Sequence, residues 1–279
     1  MDKNILQKRL MESFNSKGVR FSNYQDIPQF VTEKLENIDT TEHYEKSQLN
    51  LDHARYEFLE NSLECNSLSV TEIGANLGYF LLRLAKEQKC VVTGYEPISE
   101  YAQAASLMSQ FTDIDDYCTF HSKGVLFDDI GSLPTCDLII ELNVLHHAGN
   151  IFDKEKVASF SSWEAYAINR LAAMRDKASH LFIQTGNSQE NIQLFPSEEA
   201  VSHFANILSQ AGWKVKSVGT IQNLNNLTYT LGSLNDPQSY TTYKCHRNLD
   251  TGLVDYKVNS EVVGSHQTGL ANRPVWLCE

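Results

Sequence analysis

The sequence predicts an α/β fold in which a mostly parallel, doubly wound sheet has helices on both faces. Three observations favour this fold class. An apolar, β-prone segment at residues 68–73 enters a glycine turn and then a helical pattern. A second buried-strand pattern follows at residues 90–96. Further strand patterns at residues 117–121, 133–141 and 181–185 alternate with helical patterns, and this alternation is typical of a parallel sheet.

The first 64 residues precede this alternation and are predicted to form a helical extension. Apolar residues at helical spacing predict helices at residues 4–14, around residues 30–35, and at residues 44–63. The alternating core is predicted to run from residue 65 to residue 247. Residues 248–279 are a C-terminal tail with no assigned role.

The glycine turn (residues 74–78) is the first candidate binding element. Gly74 and Gly78 lack a Cβ, so the chain can bend sharply and come close to a ligand. The following helix N-terminus offers N–H groups and a partial positive charge, which suit a carboxylate or a phosphate. Asn76 occupies the second glycine position of the dinucleotide fingerprint, and no lysine follows Gly78 as in a P-loop.

The string from Glu72 through Gly74 and Asn76 to Gly78 resembles the first motif of class I S-adenosylmethionine-dependent methyltransferases. The resemblance implies a seven-stranded Rossmann-like fold and S-adenosyl-L-methionine as the cofactor. It also implies that Glu72 and the glycine turn hold the methionine end of that cofactor. The alternative is an ordinary α/β protein, in which an acidic residue before a glycine turn also occurs.

Glu96 ends the second strand, about 20 residues beyond the turn, where a nucleotide-binding fold places its ribose-binding acid. A carboxylate there accepts hydrogen bonds from two ribose hydroxyls. Alternatively, Glu96 and Pro97 begin the next helix, since both residue types are favoured in a first turn, and the two interpretations are compatible. The loop after the third strand, Ser122-Lys123-Gly124, is the position that meets adenine in the resembling family. It has no acid, so backbone groups or Ser122 would make that contact.

The fourth strand leads into Glu141-Leu-Asn143-Val-Leu-His146-His147. Ligands of open α/β sheets bind beyond the carboxyl ends of the strands. The resemblance implies that the backbone at Glu141 and Asn143 flanks the amino acid part of the cofactor. The V-L-H-H string resembles methyltransferases that act on small molecules. If the acceptor is a hydroxyl, His146 or His147 is the candidate base, and the alternative for both is simple packing.

The C-terminal half is predicted to contain helices at residues 153–174 and 197–211. Its final antiparallel strand pair is placed at residues 228–231 and 240–246. Arg273 is interpreted as a surface charge in preference to an anion contact.

The composition narrows the function classes. The net charge is −12 and no run of Lys and Arg occurs, which counts against nucleic acid or an anionic membrane as a partner. Six cysteines without a C-x-x-C pair indicate free thiols and a cytoplasmic protein, and no metal site is predicted. The predicted activity is methyl transfer to an oxygen or nitrogen of a small molecule. The alternatives are a methyltransferase for RNA or protein, an NAD-binding oxidoreductase, and a non-catalytic protein on the same scaffold.

Overall fold

The computed structural model describes residues 3–15, 25–35, 51–189, 192–236, 239–240, 242–266 and 269–279. The helices in these ranges are α1 (Lys3–Asn15), α2 (Gln29–Thr32), α3 (Asp52–Ser62), α4 (Tyr79–Gln88), α5 (Ser99–Phe111), α6 (Lys154–Ser159), α7 (Trp163–Arg175) and α8 (Ala200–Gln210). The strands are β1 (Ser69–Ile73), β2 (Val91–Tyr95), β3 (Cys118–His121), β4 (Cys136–Leu142), β5 (Ala178–Gln184), β6 (Ser188–Gln189), β7 (Ile192–Gln193), β8 (Val215–Ile221), β9 (Tyr229–Gly232), β10 (Lys244–Arg247), β11 (Val254–Val258), β12 (Glu261–His266) and β13 (Val275–Cys278).

The main sheet confirms the predicted α/β class with a mostly parallel sheet. Its strand order is β3-β2-β1-β4-β5-β13-β8-β9. Strand β2 pairs in parallel with β1 and β3, whereas β13 is antiparallel to both β5 and β8, and β9 is antiparallel to β8. The sheet has eight strands, one more than the seven that the resemblance implies.

The chain divides into two compact units, and the first comprises Met1–Asp52, Glu64–Val125 and Cys136–Ile140. Helix α4 buries an apolar face that includes Phe80, Leu81 and Leu84. In β2, a Cβ at Gly94 would lie only 2.8 Å from the Phe120 ring and 2.9 Å from the Leu81 side chain. A glycine is therefore required where helix and strands pack most tightly.

The second unit comprises His53–Leu63, Leu126–Thr135 and Glu141–Glu279. Strand β13 lies between β5 and β8 in this unit, and its Trp276 is almost fully buried. Phe58 of α3 contacts β8 at Gly219, where a Cβ would come within 2.6 Å of the Phe58 ring. The buried Trp213 donates from its indole nitrogen to the Leu171 carbonyl at 2.9 Å.

The C-terminal prediction is wrong in its pairing. Strand β9 pairs with β8, but β10 pairs with β11 in a separate three-stranded sheet of order β10-β11-β12. The strand that completes the main sheet is β13, which lies in the predicted tail. A strand of four residues is too short for its apolar pattern to identify it as a buried strand from the sequence. The predicted domain limits at residues 64 and 247 stay predictions.

The helix predictions differ mainly in their limits. The segment at residues 153–174 is two helices, α6 and α7, because Ser162 caps α7 by accepting from the Ala165 N–H at 3.1 Å. The helix predicted at residues 44–63 corresponds to α3, and residues 44–50 lie outside the described residues. No helix in the described ranges has the length and apolar character needed to cross a membrane.

Candidate functional site

The glycine turn folds over the end of β2. Gly74, Asn76 and Gly78 have φ values of 76°, 48° and 77°, in the left-handed region. The N–H groups of Gly74 and of the residue after it both donate to the Tyr95 carbonyl, at 2.9 and 3.0 Å. At Gly78 a Cβ would also lie 2.9 Å from the Phe120 ring. Positive φ and close packing together require glycine at this end of the turn.

Glu96 is brought directly against this turn. Its Oε2 accepts from the Asn76 N–H at 2.9 Å, and its Oε1 accepts from the Ile98 N–H at 2.9 Å. The side chain is 5% exposed, and no described cation pairs with it. Burial raises the pKa of Glu96, and the Ile98 and Asn76 N–H groups oppose that shift. A carboxylate has about four lone-pair sites, so this one keeps acceptor capacity after both backbone hydrogen bonds are made.

Two N–H groups at the start of α4 already have partners inside the protein. The Asn76 side chain accepts from the Leu77 N–H at 2.9 Å, and the Gln25 side chain accepts from the Tyr79 N–H at 3.0 Å. These donors are therefore not open to a ligand in this structure. Sequence reasoning missed Gln25 because a glutamine in an irregular N-terminal segment belongs to no recognisable motif.

The loop after β3 runs beside the end of β2. The Glu96 N–H donates to the His121 carbonyl at 3.0 Å, and the Tyr95 and His121 rings stack at 4.8 Å. Ser122 and Lys123 are exposed. Gly124 is partly exposed, and a Cβ there would lie 3.6 Å from the Pro97 Cβ.

Glu72 lies within strand β1 and is buried, in contrast to the exposed Ser122 and Lys123. It is 1% exposed and pairs in register with Gly94 of β2. The first unit thus brings the turn, Glu96 and the Ser122–Gly124 loop residues near one another, with Glu72 buried in the adjacent strand.

In the second unit, the Glu141 side chain belongs to a buried ion pair. Its Oε2 accepts from Arg170 Nη2 at 3.0 Å, and both side chains are fully buried. Asp153 lies 3.9 Å from Arg170 and accepts from the Tyr166 hydroxyl at 2.6 Å. Only the backbone of Glu141 is left for the predicted cofactor contact. Arg170 gave no signal in the sequence because one arginine in a helical pattern is usually a surface residue.

Asn143 links the ends of β4 and β5. Its N–H donates to the Gln184 carbonyl at 2.8 Å, and its side-chain amide donates to Gln184 Oε1 at 3.1 Å. Its Oδ1 accepts from Arg273 Nη1 at 2.7 Å. Asn143 has a φ of 58°, a conformation that asparagine tolerates better than most residues. The side chain therefore holds Arg273 at the end of the sheet.

His146 and His147 lie in one 3-10 turn with their ring centroids 4.0 Å apart. His146 is buried, and its Nδ1 accepts from the Gly186 N–H at 3.2 Å. Burial lowers the pKa of His146 to about 2, with further contributions from the charge of Arg273 and from His147. Burial and then Arg273 also lower the pKa of the partly exposed His147. Both rings are therefore neutral near pH 7, and only His146 has a ring nitrogen committed to a protein hydrogen bond among the described residues.

The described residues contain no group of three or more His, Cys, Asp or Glu side chains placed to hold a metal ion. No protein-family model and no curated protein sequence matches the chain. Several solved structures resemble it at low identity. Magnesium protoporphyrin IX methyltransferase from Synechocystis PCC 6803, with bound S-adenosylmethionine, is 16% identical over 83% of this chain and 95% of that one, with a TM-score of 0.47.

A second similar structure, a methyltransferase from Aquifex aeolicus that depends on the same cofactor, is 18% identical over 60% of this chain and 82% of that one, with a TM-score of 0.41. The bifunctional kinase-methyltransferase WbdD is 15% identical over 90% of this chain and 53% of that one, with a TM-score of 0.49. At these identities, function has to be argued from the residues of the chain itself.

Proposed function

We propose that the chain is a class I methyltransferase that transfers a methyl group from S-adenosyl-L-methionine to an oxygen or nitrogen of a small molecule. The observation that carries this proposal is the Glu96 carboxylate held 2.9 Å from the Asn76 N–H of the glycine turn. The carboxylate is buried and has no described cation partner, so an organic ligand with two neighbouring hydroxyls suits it. A ribose is such a ligand.

In this proposal, different residues of the first unit contact different parts of the cofactor. Glu96 accepts from the ribose hydroxyls, and the glycine turn, with Glu72 behind it, lies along the methionine end. The adenine lies against Pro97 and the Ser122-Lys123-Gly124 loop, where backbone groups and the Ser122 hydroxyl are available. The predicted contacts of the Glu141 and Asn143 backbones with the amino acid part remain predictions.

When bound, the cofactor supplies a methyl group on a positively charged sulfur, so the protein has to align the acceptor and take up its proton. We assign the proton acceptor to His147 and a positioning role to His146. The His146 Nδ1 is occupied by the Gly186 N–H, so its other nitrogen carries the ring proton and cannot act as a base. His147 is neutral and partly exposed, and it has no described hydrogen-bond partner for its ring.

The acidic net charge of −12 supports a small acceptor over nucleic acid. The six free cysteines support the proposed cytoplasmic location.

Calorimetric titration with S-adenosylhomocysteine, S-adenosylmethionine and NADH tests the proposed cofactor. We expect the first two to bind and NADH to show no heat beyond dilution. Binding of NADH alone would replace the proposal with the oxidoreductase alternative.

Catalysis needs a second experiment. Incubation with S-adenosylmethionine and a metabolite extract, followed by mass spectrometry, identifies any compound that gains one methyl group. On that compound, His147→Gln is expected to lower kcat by roughly 10²- to 10⁴-fold. Cofactor binding without any methylated product would leave the non-catalytic alternative.

A further inference from the structure

Arg273 lies two residues before β13, and its guanidinium packs against the backbone at Gly186. A Cβ at Gly186 would be 3.2 Å from both Cζ and Nη2 of Arg273, and 3.1 Å from Cδ2 of His146. A side chain at Gly186 would therefore require the guanidinium or the His146 ring to shift by a few tenths of an ångström. The Asn143 Oδ1, which accepts from Nη1 at 2.7 Å, fixes one side of the group.

This guanidinium has no anionic partner among the described residues. Among the described residues, the Arg273 side chain makes one hydrogen bond, to Asn143. No described carboxylate lies within the ion-pair distance of 4.0 Å from it. Its charged neighbour is a second cation, the buried Arg55. Burial and the charge of Arg55 lower the pKa of Arg273 to about 10, so it remains a cation at neutral pH.

The other titratable groups that are described near Arg273 do not supply a negative charge. Burial raises the pKa of the Tyr229 and Tyr256 hydroxyls and of the Cys245 thiol, so all three are neutral at pH 7. His146 and His147 are neutral as well. A guanidinium that is largely removed from water, such as that of Arg273, costs folding free energy when no anion faces it, and an anion from solution would offset part of that cost.

Arg273 also lines a small pocket that opens to solvent and has room for about one water-sized group. Thr185, Asn187 and Asn272 contribute polar groups to its wall, and Phe195 contributes an apolar side. The side chain of Arg273 is partly exposed. A small group can therefore reach it from solvent without unfolding the site.

We propose that Arg273 binds an oxyanion, a carboxylate or a phosphate, on the ligand that occupies this pocket. A guanidinium offers several N–H donors in a planar fork, which matches two oxygens of either group. One donor is used by Asn143, and the fork keeps others for the ligand. In the proposed methyltransferase this ligand is the acceptor, so the acceptor class is an anionic small molecule. That last step rests on the proposed function, whereas anion binding does not.

The direct test follows the thermal unfolding of the whole chain with inorganic phosphate or acetate, with sodium chloride replaced to keep the ionic strength constant. We expect at least one of the two anions to raise the Tm of the natural protein in a saturable way. Arg273→Gln should weaken that binding by about 10- to 100-fold, the usual effect of losing a hydrogen bond to a charged group. An effect of phosphate alone or of acetate alone identifies which oxyanion the site takes.

Arg247→Gln is the matched control, because Arg247 is an exposed arginine whose Nη1 donates to the Gly252 carbonyl at 2.8 Å. The control should keep the full Tm response. A response that survives in Arg273→Gln, or a natural protein with no anion-specific response, overturns the proposal.

Chemical labelling of the natural protein decides the case if Arg273→Gln does not fold. Phenylglyoxal modifies accessible arginines, and mass spectrometry locates the product. Phosphate or acetate should protect Arg273 and leave the labelling of Arg247 unchanged. Equal labelling with and without anion, or no labelling of Arg273 in the free protein, contradicts the site.

The cofactor titrations vary neither phosphate nor acetate. The cofactor proposal and the oxyanion proposal can therefore be refuted independently. Anion protection without S-adenosylhomocysteine binding rejects the methyltransferase and keeps the oxyanion site.

Discussion

Replacing Glu96 by glutamine gives the sharpest test of the cofactor site, because the change is nearly isosteric and removes only the charge and one acceptor. In the structure the two carboxylate oxygens accept from the Asn76 and Ile98 N–H groups, at 2.9 Å each. A glutamine has one acceptor oxygen, and its amide group would face the second N–H donor to donor. One buried N–H then lacks a partner, which lowers the free energy of unfolding by about 1–3 kcal/mol.

The effect on binding is separate from this folding cost. The charged carboxylate accepts from the ribose hydroxyls in the proposed complex, and a hydrogen bond to a charged group contributes about 1.5–3 kcal/mol. Glu96→Gln should therefore raise the Kd for S-adenosylhomocysteine by roughly 10- to 150-fold. Glu96→Ala should weaken binding by at least as much and also leave both N–H groups without their acceptor.

Calorimetry of the folded variant measures the binding, and urea unfolding measures the stability. Glu100→Gln is the control, since Glu100 is an exposed acid four positions away whose partner is the Ser99 hydroxyl. We expect that control to change stability by less than about 0.5 kcal/mol and to leave the Kd unchanged. A folded Glu96→Gln protein with the Kd of the natural chain would refute the ribose-binding role.

Three further predictions concern pH, the buried ion pair and the last strand. Because burial raises the pKa of Glu96, S-adenosylhomocysteine affinity should fall as pH drops through that raised pKa. Calorimetry at several pH values measures this dependence, and Glu96→Gln should remove most of it. The raised pKa also affects folding, because the contribution of Glu96 to the free energy of unfolding decreases as pH rises through its pKa in the folded protein. Arg170→Met should lower the free energy of unfolding in urea by about 3–5 kcal/mol, because the buried Glu141 charge loses its partner. Adding Glu141→Leu should recover most of that loss. Equal stability of the single and double variants would argue against the ion pair. Trp276→Ala should cost about 3–5 kcal/mol because its ring is buried in β13, whereas Leu249→Ala, at an exposed position, should cost under about 0.5 kcal/mol, and similar values for both would contradict the central place of β13.

The parts of the structure that the sequence predicts well are those in which neighbours in space are also close along the chain. The strand β1, the glycine turn, α4 and β2 form one strand–helix–strand unit. Within it, Glu96 accepts a hydrogen bond from Asn76, which is only 20 positions away in the sequence. Apolar periodicity and two glycines with positive φ specify that unit locally. The association of Glu96 with the turn was thus accessible from spacing, although the role of Glu96 toward ribose stays a prediction.

Interactions between distant segments were not accessible in this way. Gln25 reaches Tyr79 across 54 positions, Arg170 reaches Glu141 across 29, and Arg273 reaches Asn143 across 130. Gln25, Arg170 and Arg273 belong to no motif. Arg273 was interpreted as a surface charge because most arginines are exposed, and its position beside β13 became visible only with the strand order.

The sequence alone determined the alternating α/β pattern, the bend between β1 and α4, and the acid at the end of β2, since each follows from local periodicity, backbone freedom and spacing. Only the tertiary structure decided which polar groups are buried and which residues contact them. It placed β13 between β5 and β8, paired Glu141 with Arg170, and left Arg273 without a described counter-ion. The physical reason is that desolvation and charge pairing depend on distances through space, which a one-dimensional pattern does not contain.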